Sequence, residues 1–91
     1  MRVTIRIPAA LRPVAENRAE VVVQAETVGS ALTSAVECYP SLRRHLFDER
    51  GRLRSYVNIY LNEDDIRWGG GETAPVDDGD VVTIVPSIAG G

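Results

Sequence analysis

The sequence predicts a single α+β domain, in which one mixed β-sheet of four to five strands carries one main helix across one face. The chain has 91 residues, which provide one hydrophobic core and no room for a second. Strand-like alternation of apolar and polar residues occurs in both halves of the chain, and one stretch of helical periodicity lies between them. Hydrophobic residues make up 44% and charged residues 25%, a composition typical of a folded globular domain.

The N-terminal part of the chain predicts an antiparallel hairpin. In Arg2–Ile7, bulky aliphatic residues alternate with polar ones, which is the period of a strand with one wet face. Glu20–Ala25 contains three consecutive valines and predicts the second strand. The connection Leu11–Asn17 is expected to be loose, with Leu11 and Val14 packed against the core.

Thr27 is the predicted N-cap of the helix, because its hydroxyl can accept a hydrogen bond from a first-turn amide. The apolar residues that recur at helical spacing are Val28, Leu32, Ala35, Val36 and Tyr39. Gly29 costs up to about 1 kcal/mol relative to alanine, and Pro40 ends the helix. A short turn over Ser41–Phe47 and a polar loop over Asp48–Arg54 are expected to follow.

The second half of the chain predicts further strands separated by turns. The expected elements are a strand over Tyr56–Leu61, a turn over Asn62–Asp65, a short strand at most over Ile66–Trp68, a flexible loop over Gly69–Gly71, a turn over Asp77–Asp80 and a strand over Val81–Val85. Gly79 can take the positive φ that the last turn requires. One economical arrangement places the first and last strands side by side in parallel, which is the β-grasp layout. Periodicity alone requires only a small α+β domain.

Composition argues against several classes of function. A single cysteine, Cys38, permits neither an internal disulfide nor a cysteine-based metal site, and a single histidine, His45, argues against a Ser-His-Asp triad. The net charge of −3 does not favour a nucleic-acid partner. No apolar run approaches the roughly 20 residues of a membrane span, and no signal-peptide pattern is visible. We therefore expect no metal site, no nucleic-acid or membrane partner, and a cytoplasmic location.

Charge is unevenly distributed along the sequence. Seven acidic residues lie between positions 62 and 80, where Arg67 is the only base: Glu63, Asp64, Asp65, Glu72, Asp77, Asp78 and Asp80. An opposing basic block comprises Arg43, Arg44, Arg50, Arg52 and Arg54. All ten basic residues are arginine, so no lysine side chain can form a Schiff base or accept an isopeptide bond. This polarity either steers docking to a charged partner or is simply the surface of a soluble domain.

The last five residues, 87–91, follow the predicted final strand and carry no charged side chain. We expect a β-grasp domain over residues 1–86 and a flexible C-terminal tail over 87–91, which reaches roughly 16 Å when extended. Gly90 and Gly91 lack a Cβ and can enter a narrow channel in any backbone conformation. The tail is therefore suited to being handled as a substrate, although a frayed terminus is the plain alternative.

Three stretches carry a resemblance to a known family: RVTIRIPAALRP, YVNIYLNEDDIR and DGDVVTIVPSIAGG. The whole chain resembles the ubiquitin-like sulfur-carrier proteins of the MoaD/ThiS superfamily. Within that superfamily, the central and C-terminal stretches look most similar to the carriers of cysteine biosynthesis in actinobacteria. Residues 87–89, Ser-Ile-Ala, differ from the more usual Ala-Val-Ala of that subgroup.

The resemblance implies a function for the chain terminus. An E1-like adenylyltransferase/sulfurtransferase would use ATP and magnesium to adenylate the carboxylate of Gly91, and sulfur would then replace AMP to give a C-terminal thiocarboxylate (1-thioglycine). The carrier would bind no cofactor and would contribute no catalytic side chain, so it would act as a co-substrate and not as an enzyme. Gly90 and Ala89 would give access to the partner's channel, and Ile88 and Val85 would seat the tail on apolar walls.

An apolar patch on the open face of the sheet is also expected to bind partners. Tyr60, Val81 and Val85 would form it, since the alternate residues of their strands would point to the helix. Those inward residues are Val57, Ile59, Val82 and Ile84. Exposed apolar patches often mark partner sites, but ordinary residual hydrophobicity of a sheet is an equally good explanation.

The partners implied by the resemblance are the activating enzyme and a sulfur-accepting enzyme. The acceptor would be a cysteine synthase that depends on pyridoxal phosphate, or a thiosugar, thiazole or molybdopterin synthase, and a metalloprotease could release the product. Three alternatives stay open: the small subunit of molybdopterin synthase, a ubiquitin-like modifier conjugated to proteins through Gly91, and a β-grasp interaction module with an idle terminus.

Overall fold

A computed structural model describes residues 1–86 of the chain. They form one five-stranded mixed sheet with the strand order β2-β1-β5-β3-β4. The strands are β1 (Arg2–Arg6), β2 (Glu20–Gln24), β3 (Val57–Leu61), β4 (Asp64–Asp65) and β5 (Val81–Pro86). The helices are α1 (Val28–Cys38) and α2 (Arg43–Leu46), with 3₁₀ helices over Ala9–Ala15, Pro40–Leu42, Ile66–Trp68 and Gly71–Thr73.

The centre of the sheet is the parallel pair β1 and β5. Ile5 lies opposite Val82 in this pair, and both side chains are fully buried. β2 continues the sheet antiparallel to β1, and β3 continues it antiparallel to β5. The predicted hairpin, the parallel pairing of the first and last strands and the β-grasp layout are therefore confirmed.

Helix α1 begins where the sequence predicts, at a reciprocal capping box. The amide of Ser30 donates to Thr27 Oγ1 (3.1 Å), and the amide of Thr27 donates to Ser30 Oγ (3.0 Å). These two bonds satisfy amides that would otherwise lack partners at the helix start. The helix ends at Cys38, before Pro40. Its predicted apolar face is buried at Val28, Leu32 and Ala35 and partly buried at Val36 and Tyr39.

The connection between β1 and β2 is more regular than predicted. Ala9–Ala15 forms a 3₁₀ helix where a loose segment was expected, and Glu16 ends it with φ 53° in the left-handed region. Leu11 and Ala15 are buried, and Val14 packs partly against the core. The apolar spacing of three and four residues places these side chains on one side of the segment, which explains why it is ordered.

Two predictions between β3 and β5 are wrong in type. The predicted turn Asn62–Asp65 includes a short strand, β4, which pairs antiparallel with the end of β3. Ile66–Trp68 is a 3₁₀ helix and not a strand, because the carboxylate of Asp65 accepts a hydrogen bond from the amide of Arg67 (2.9 Å) and caps the turn.

The glycine segment is also partly ordered. Gly70 and Gly71 have φ of 96° and 61°, which favour glycine, and the 3₁₀ helix Gly71–Thr73 replaces part of the predicted loop. The Asp77–Asp80 turn is confirmed, with φ 90° at Gly79. Among residues 1–86, no helix is long and apolar enough to cross a membrane.

Candidate functional site

The four residues Ile88, Ala89, Gly90 and Gly91, which were expected to act, lie outside the described residues. The structure does place the point from which they follow, Pro86 at the end of β5. β5 pairs with β1 as far as Thr83 and with β3 as far as Pro86. This point therefore lies in the middle of the sheet and is paired on the β3 side. We call the region around it the tail root.

The three described residues of the predicted site share the open face of the sheet. Tyr60 pairs with Thr83 across β3 and β5, so Val81 and Val85 are its diagonal neighbours, which lie about 7–8 Å away in an antiparallel pair. Val85 is 40% exposed, whereas Tyr60 and Val81 are half-buried. The structure therefore brings these three side chains to one surface, and their role in partner binding stays a prediction.

The open face extends to a residue that the sequence analysis did not single out. Val22, in β2, is 50% exposed and pairs with Thr4, which itself pairs with Val81 on its other side. A signal was present in the sequence, because Val22 is the middle of three consecutive valines. Period-two alternation turns the middle one away from the buried face.

A cleft of about 660 Å³ lies beside the tail root, between the end of β5, the end of β1 and the 3₁₀ helix that follows β1. Its lining residues are Arg6, Ile7, Pro8, Ala10, Arg12, Thr83, Ile84, Val85 and Pro86. The lining is mainly apolar, and Arg12 is oriented by a hydrogen bond from Nε to the carbonyl of Ile7 (3.2 Å). This cleft was not predicted from the sequence, because it depends on a 3₁₀ helix in a segment that was expected to be loose.

An ordered loop presents several arginines near the start of β3. Phe47 and Leu53 form an isolated β-bridge, and the Asp48 carboxylate accepts hydrogen bonds from the amides of Arg50 (2.8 Å) and Arg52 (3.0 Å). The bond from the Arg52 amide, followed by that from Arg50 and the nearby guanidinium charges, holds the pKa of Asp48 below its ordinary range despite some desolvation. We call residues 47–54 the arginine loop.

Cys38 and His45, the other two side chains considered for chemistry, do not belong to a metal-binding group among the described residues. Cys38 is exposed at the C-terminal end of α1. His45 is half-buried, and Arg44 Nε lies 3.4 Å from its Nε2. Within residues 1–86, no group of three His, Cys, Asp or Glu side chains is arranged to hold a metal ion.

Comparison with known proteins matches the chain over its full length. A sequence model described as ThiS family matches residues 5–91. Sulfur carrier protein CysO of Mycobacterium tuberculosis is 38% identical over 93 aligned residues, which cover 100% of both proteins. A crystal structure of M. tuberculosis CysO superposes with a TM-score of 0.86 at 35% identity, over 94% of this chain and 99% of that one.

Two further relatives bear on the interpretation. In a crystal structure of the BexX/CysO complex of Amycolatopsis orientalis, the matching chain has 34% identity and a TM-score of 0.88, over 98% of this chain and 99% of that one. Small archaeal modifier protein 3 of Haloferax volcanii is 34% identical over 65 residues, which cover 71% of this chain and 70% of that protein. These likenesses confirm the ubiquitin-like β-grasp fold and the resemblance drawn from the sequence. The chain belongs to the ThiS family.

Proposed function

We propose that this chain is a sulfur carrier protein that holds sulfur as a thiocarboxylate on Gly91 and donates it to a biosynthetic acceptor enzyme. One observation carries the proposal: the family match extends to residue 91 and includes both glycines of the tail. A relative that is similar over its full length bears the name sulfur carrier protein. Since activation needs ATP, we place the carrier in the cytoplasm.

The proposed chemistry begins at a carboxylate, which is a poor electrophile. An E1-like activating enzyme supplies ATP and magnesium, and the Gly91 carboxylate oxygen attacks the α-phosphorus and displaces pyrophosphate. Sulfide (HS⁻) then attacks the carbonyl carbon of the acyl-adenylate, and AMP leaves with the electron pair of the broken C–O bond. If a persulfide attacks instead, the acyl disulfide that forms needs a thiol as reductant, which takes the outer part of the donor as a disulfide and releases the thiocarboxylate. The product keeps one carbonyl oxygen and gains one sulfur in place of the other oxygen. The carrier itself holds no cofactor in this scheme.

Within this scheme, residues 1–86 serve as the part of the carrier that partners bind. The tail follows the central strand β5, which pairs with β1 and with β3. We propose that residues 1–86 form the domain that partners grip and that 87–91 form the segment that they process. Tyr60, Val81 and Val85 would contact the partner through the open face. Ala89 and Gly90 would enter its channel, and Ile88 would seat the tail on apolar walls.

The acceptor is proposed from the same likeness. The Amycolatopsis relative forms a complex with BexX, and we propose that this chain likewise docks on a sulfur-accepting enzyme. A cysteine synthase dependent on pyridoxal phosphate is the first candidate, followed by a thiosugar, thiazole or molybdopterin synthase. In the cysteine case, a metalloprotease would release the product from Gly91.

A second candidate function is protein modification through Gly91. The likeness to a small archaeal modifier protein over 71% of this chain favours it. The two functions share the adenylation step and differ in the nucleophile, because a modifier is attacked by a lysine amine of a target protein. The products therefore separate them: a sulfur-bearing carrier of unchanged length, or a covalent adduct of higher mass.

The direct test is thiocarboxylation by the activating enzyme encoded in the same genome, with ATP, magnesium and sulfide. Trypsin cleaves after the last arginine, Arg67, so the C-terminal peptide 68–91 contains neither Met1 nor Cys38. Replacing oxygen by sulfur adds about 16 Da, the same nominal shift as one oxidation. Because the peptide lacks Met1 and Cys38, oxidation of these two residues cannot cause a mass shift measured on it. We expect the shift in the full chain and none in a variant lacking Gly90 and Gly91.

Two results would contradict the proposal. If the C-terminal peptide stays unmodified although the same enzyme and sulfide convert another carrier, Gly91 is not a thiocarboxylation site. If the enzyme instead transfers the intact chain to lysines of other proteins and no sulfur is incorporated, the modifier function is correct.

A further inference from the structure

Charged residues are segregated between two halves of the molecule along the axis of β5. The tail half contains the ends of β1 and β5, the starts of β2 and β3, and the segments 7–19 and 37–56. The far half contains the opposite ends of the same strands and the segments 25–27, 62–65 and 71–80. The strand pairing fixes the division of the strands, because β1 runs parallel to β5 while β2 and β3 run antiparallel to their neighbours. Residues 66–70 belong to neither half, because the chain runs back beside β3 after Asp65 and Arg67 lines a pocket together with Arg54.

The two halves carry opposite net charge. The tail half holds eight arginines, namely Arg6, Arg12, Arg18, Arg43, Arg44, Arg50, Arg52 and Arg54. Its five acidic residues are Glu16, Glu20, Glu37, Asp48 and Glu49. The far half holds Arg2 against eight acids, namely Glu26, Glu63, Asp64, Asp65, Glu72, Asp77, Asp78 and Asp80. The formal charges are therefore +3 and −7, and Arg67, which lies between the two halves, completes the net charge of −3.

The arginine loop holds the backbone of its arginines in place in the tail half. Arg50 and Arg52 are exposed, and their backbone amides are tied to Asp48. Arg54 Nε donates to the carbonyl of Arg44 (2.8 Å), which joins the loop to α2. The amide of Val57 in turn donates to the carbonyl of Arg54, and Val57 pairs with Pro86. The loop is thus linked to the tail root by a short chain of hydrogen bonds.

The length of the tail decides which half must meet a partner. Five residues beyond Pro86 span at most about 18 Å, so an enzyme that acts on Gly91 must bring the mouth of its channel close to the tail root. The basic half of the carrier then lies against that mouth, and the acidic half points away from it. At physiological ionic strength charges act over about 8 Å, so the tail half dominates the interaction at contact.

We propose that the tail half is an electrostatic docking surface for an acidic protein surface around the channel that receives Gly91. The inference rests on the proposed function and adds the chemistry of the partner's surface. The uneven charge would turn the carrier tail-first during approach, because fields of this kind raise association rates by about 10- to 1,000-fold. A protein fits better than a nucleic acid, because the far half would be repelled by an extended polyanion.

The test compares two double variants that lose the same net charge. R50Q/R52Q lowers the formal charge of the tail half from +3 to +1, whereas R2Q/Q24E lowers that of the far half from −7 to −9. All four side chains are exposed, and Arg2 pairs with Gln24 where β1 begins and β2 ends. The readout is the association rate with the purified activating enzyme, measured at low and at high salt, with thermal melting to confirm that both variants fold.

We expect R50Q/R52Q to reduce the association rate about fivefold at low salt, with the difference vanishing at high salt. R2Q/Q24E should change the rate less than twofold. Equal effects of the two variants, a rate that does not depend on salt, or no binding of the wild-type chain would overturn the proposal. The proposal would also be overturned if R50Q/R52Q lost binding to a single-stranded RNA oligomer while its association with the enzyme stayed unchanged.

A separate endpoint distinguishes this inference from the proposed function. At saturating carrier and long reaction times, both variants should reach the same extent of thiocarboxylation as the wild-type chain. If the wild-type chain binds with the expected salt dependence but its C-terminal peptide never gains sulfur, the proposed function fails and the docking surface stands. If sulfur is gained at rates that do not depend on these arginines, the docking surface is wrong and the proposed function is supported.

Discussion

The two faces of β5 differ sharply in their surroundings. On the helix side, Val82 and Ile84 are 0% and 1% exposed, whereas Val85 on the other side is 40% exposed. One six-residue strand therefore fills the core with one set of residues and offers a surface with the other. Stability and the proposed partner contact can therefore be altered separately in this chain, because they would depend on alternate residues of the same strand.

The largest expected effect is on the helix side of β5. Ile84→Ala should lower the free energy of unfolding by about 2–5 kcal/mol, because it removes a fully buried side chain and leaves a cavity. Val85→Ala should lower it by less than about 1 kcal/mol, since that side chain is partly solvated. Chemical denaturation of both variants measures this contrast. Similar losses in the two variants would show that the two faces do not differ in the proposed way.

The next effect concerns partner contact on the open face. Val85→Asp places a charge beside the tail root and should reduce thiocarboxylation efficiency, kcat/KM, by about tenfold, which corresponds to about 1.4 kcal/mol. Val22→Asp is the matched control, because Val22 is exposed on the same face but lies in the edge strand β2. Steady-state kinetics with the activating enzyme test the pair. An equal loss in both variants would point to a general effect of charge on the sheet.

A smaller effect is expected where α1 begins. Thr27→Ala removes one half of the capping box and should cost about 1 kcal/mol of stability, with no change in kcat/KM. Thermal melting and kinetics on the same preparation measure both quantities. A loss of activity without a loss of stability would mean that the helix side also contacts the partner.

The smallest effect is the pH dependence of the arginine loop. The pKa of the Asp48 carboxyl is lowered in the folded state. Asp48 therefore contributes stability that is present above its unfolded pKa and is lost as the pH falls through its folded pKa. Amide exchange at Arg50 and Arg52 should therefore be protected at neutral pH and lose protection in acid, after correction for intrinsic exchange rates. Asp48→Asn should show weak protection at both pH values. Strong protection in this variant at neutral pH would exclude the carboxylate as the cause.

The regular elements could be predicted from the sequence because their physical causes are local. Alternation in β1 and β5 indicates strands with one buried face, and Thr27 with Pro40 marks the two ends of α1. The importance of the tail glycines could be predicted for a similarly local reason, since only glycine leaves the backbone without a Cβ. Those features need no knowledge of what packs against them.

The missed features depend on contacts between distant parts of the chain. Gly29 looked unfavourable for a helix, but an added Cβ would lie 3.1 Å from the carbonyl oxygen of Glu72. The cost in helix propensity is thus tied to close packing of α1 against the 3₁₀ helix Gly71–Thr73. Strand β4 exists only because β3 offers it a partner, and the cleft beside the tail root needs β1, β5 and the 3₁₀ helix Ala9–Ala15 together.

The carboxylate of Gly91 is the proposed reacting group. Sulfide made with the heavy isotope sulfur-34 tests this most directly. Trp68 is 88% exposed and lies in the C-terminal tryptic peptide, where its oxidation would also add about 16 Da. We predict that heavy sulfide raises the mass gain of peptide 68–91 by a further about 2 Da and that fragmentation places the gain on Gly91. A mass gain that is the same with light and heavy sulfide, or that maps to another residue, would contradict the claim.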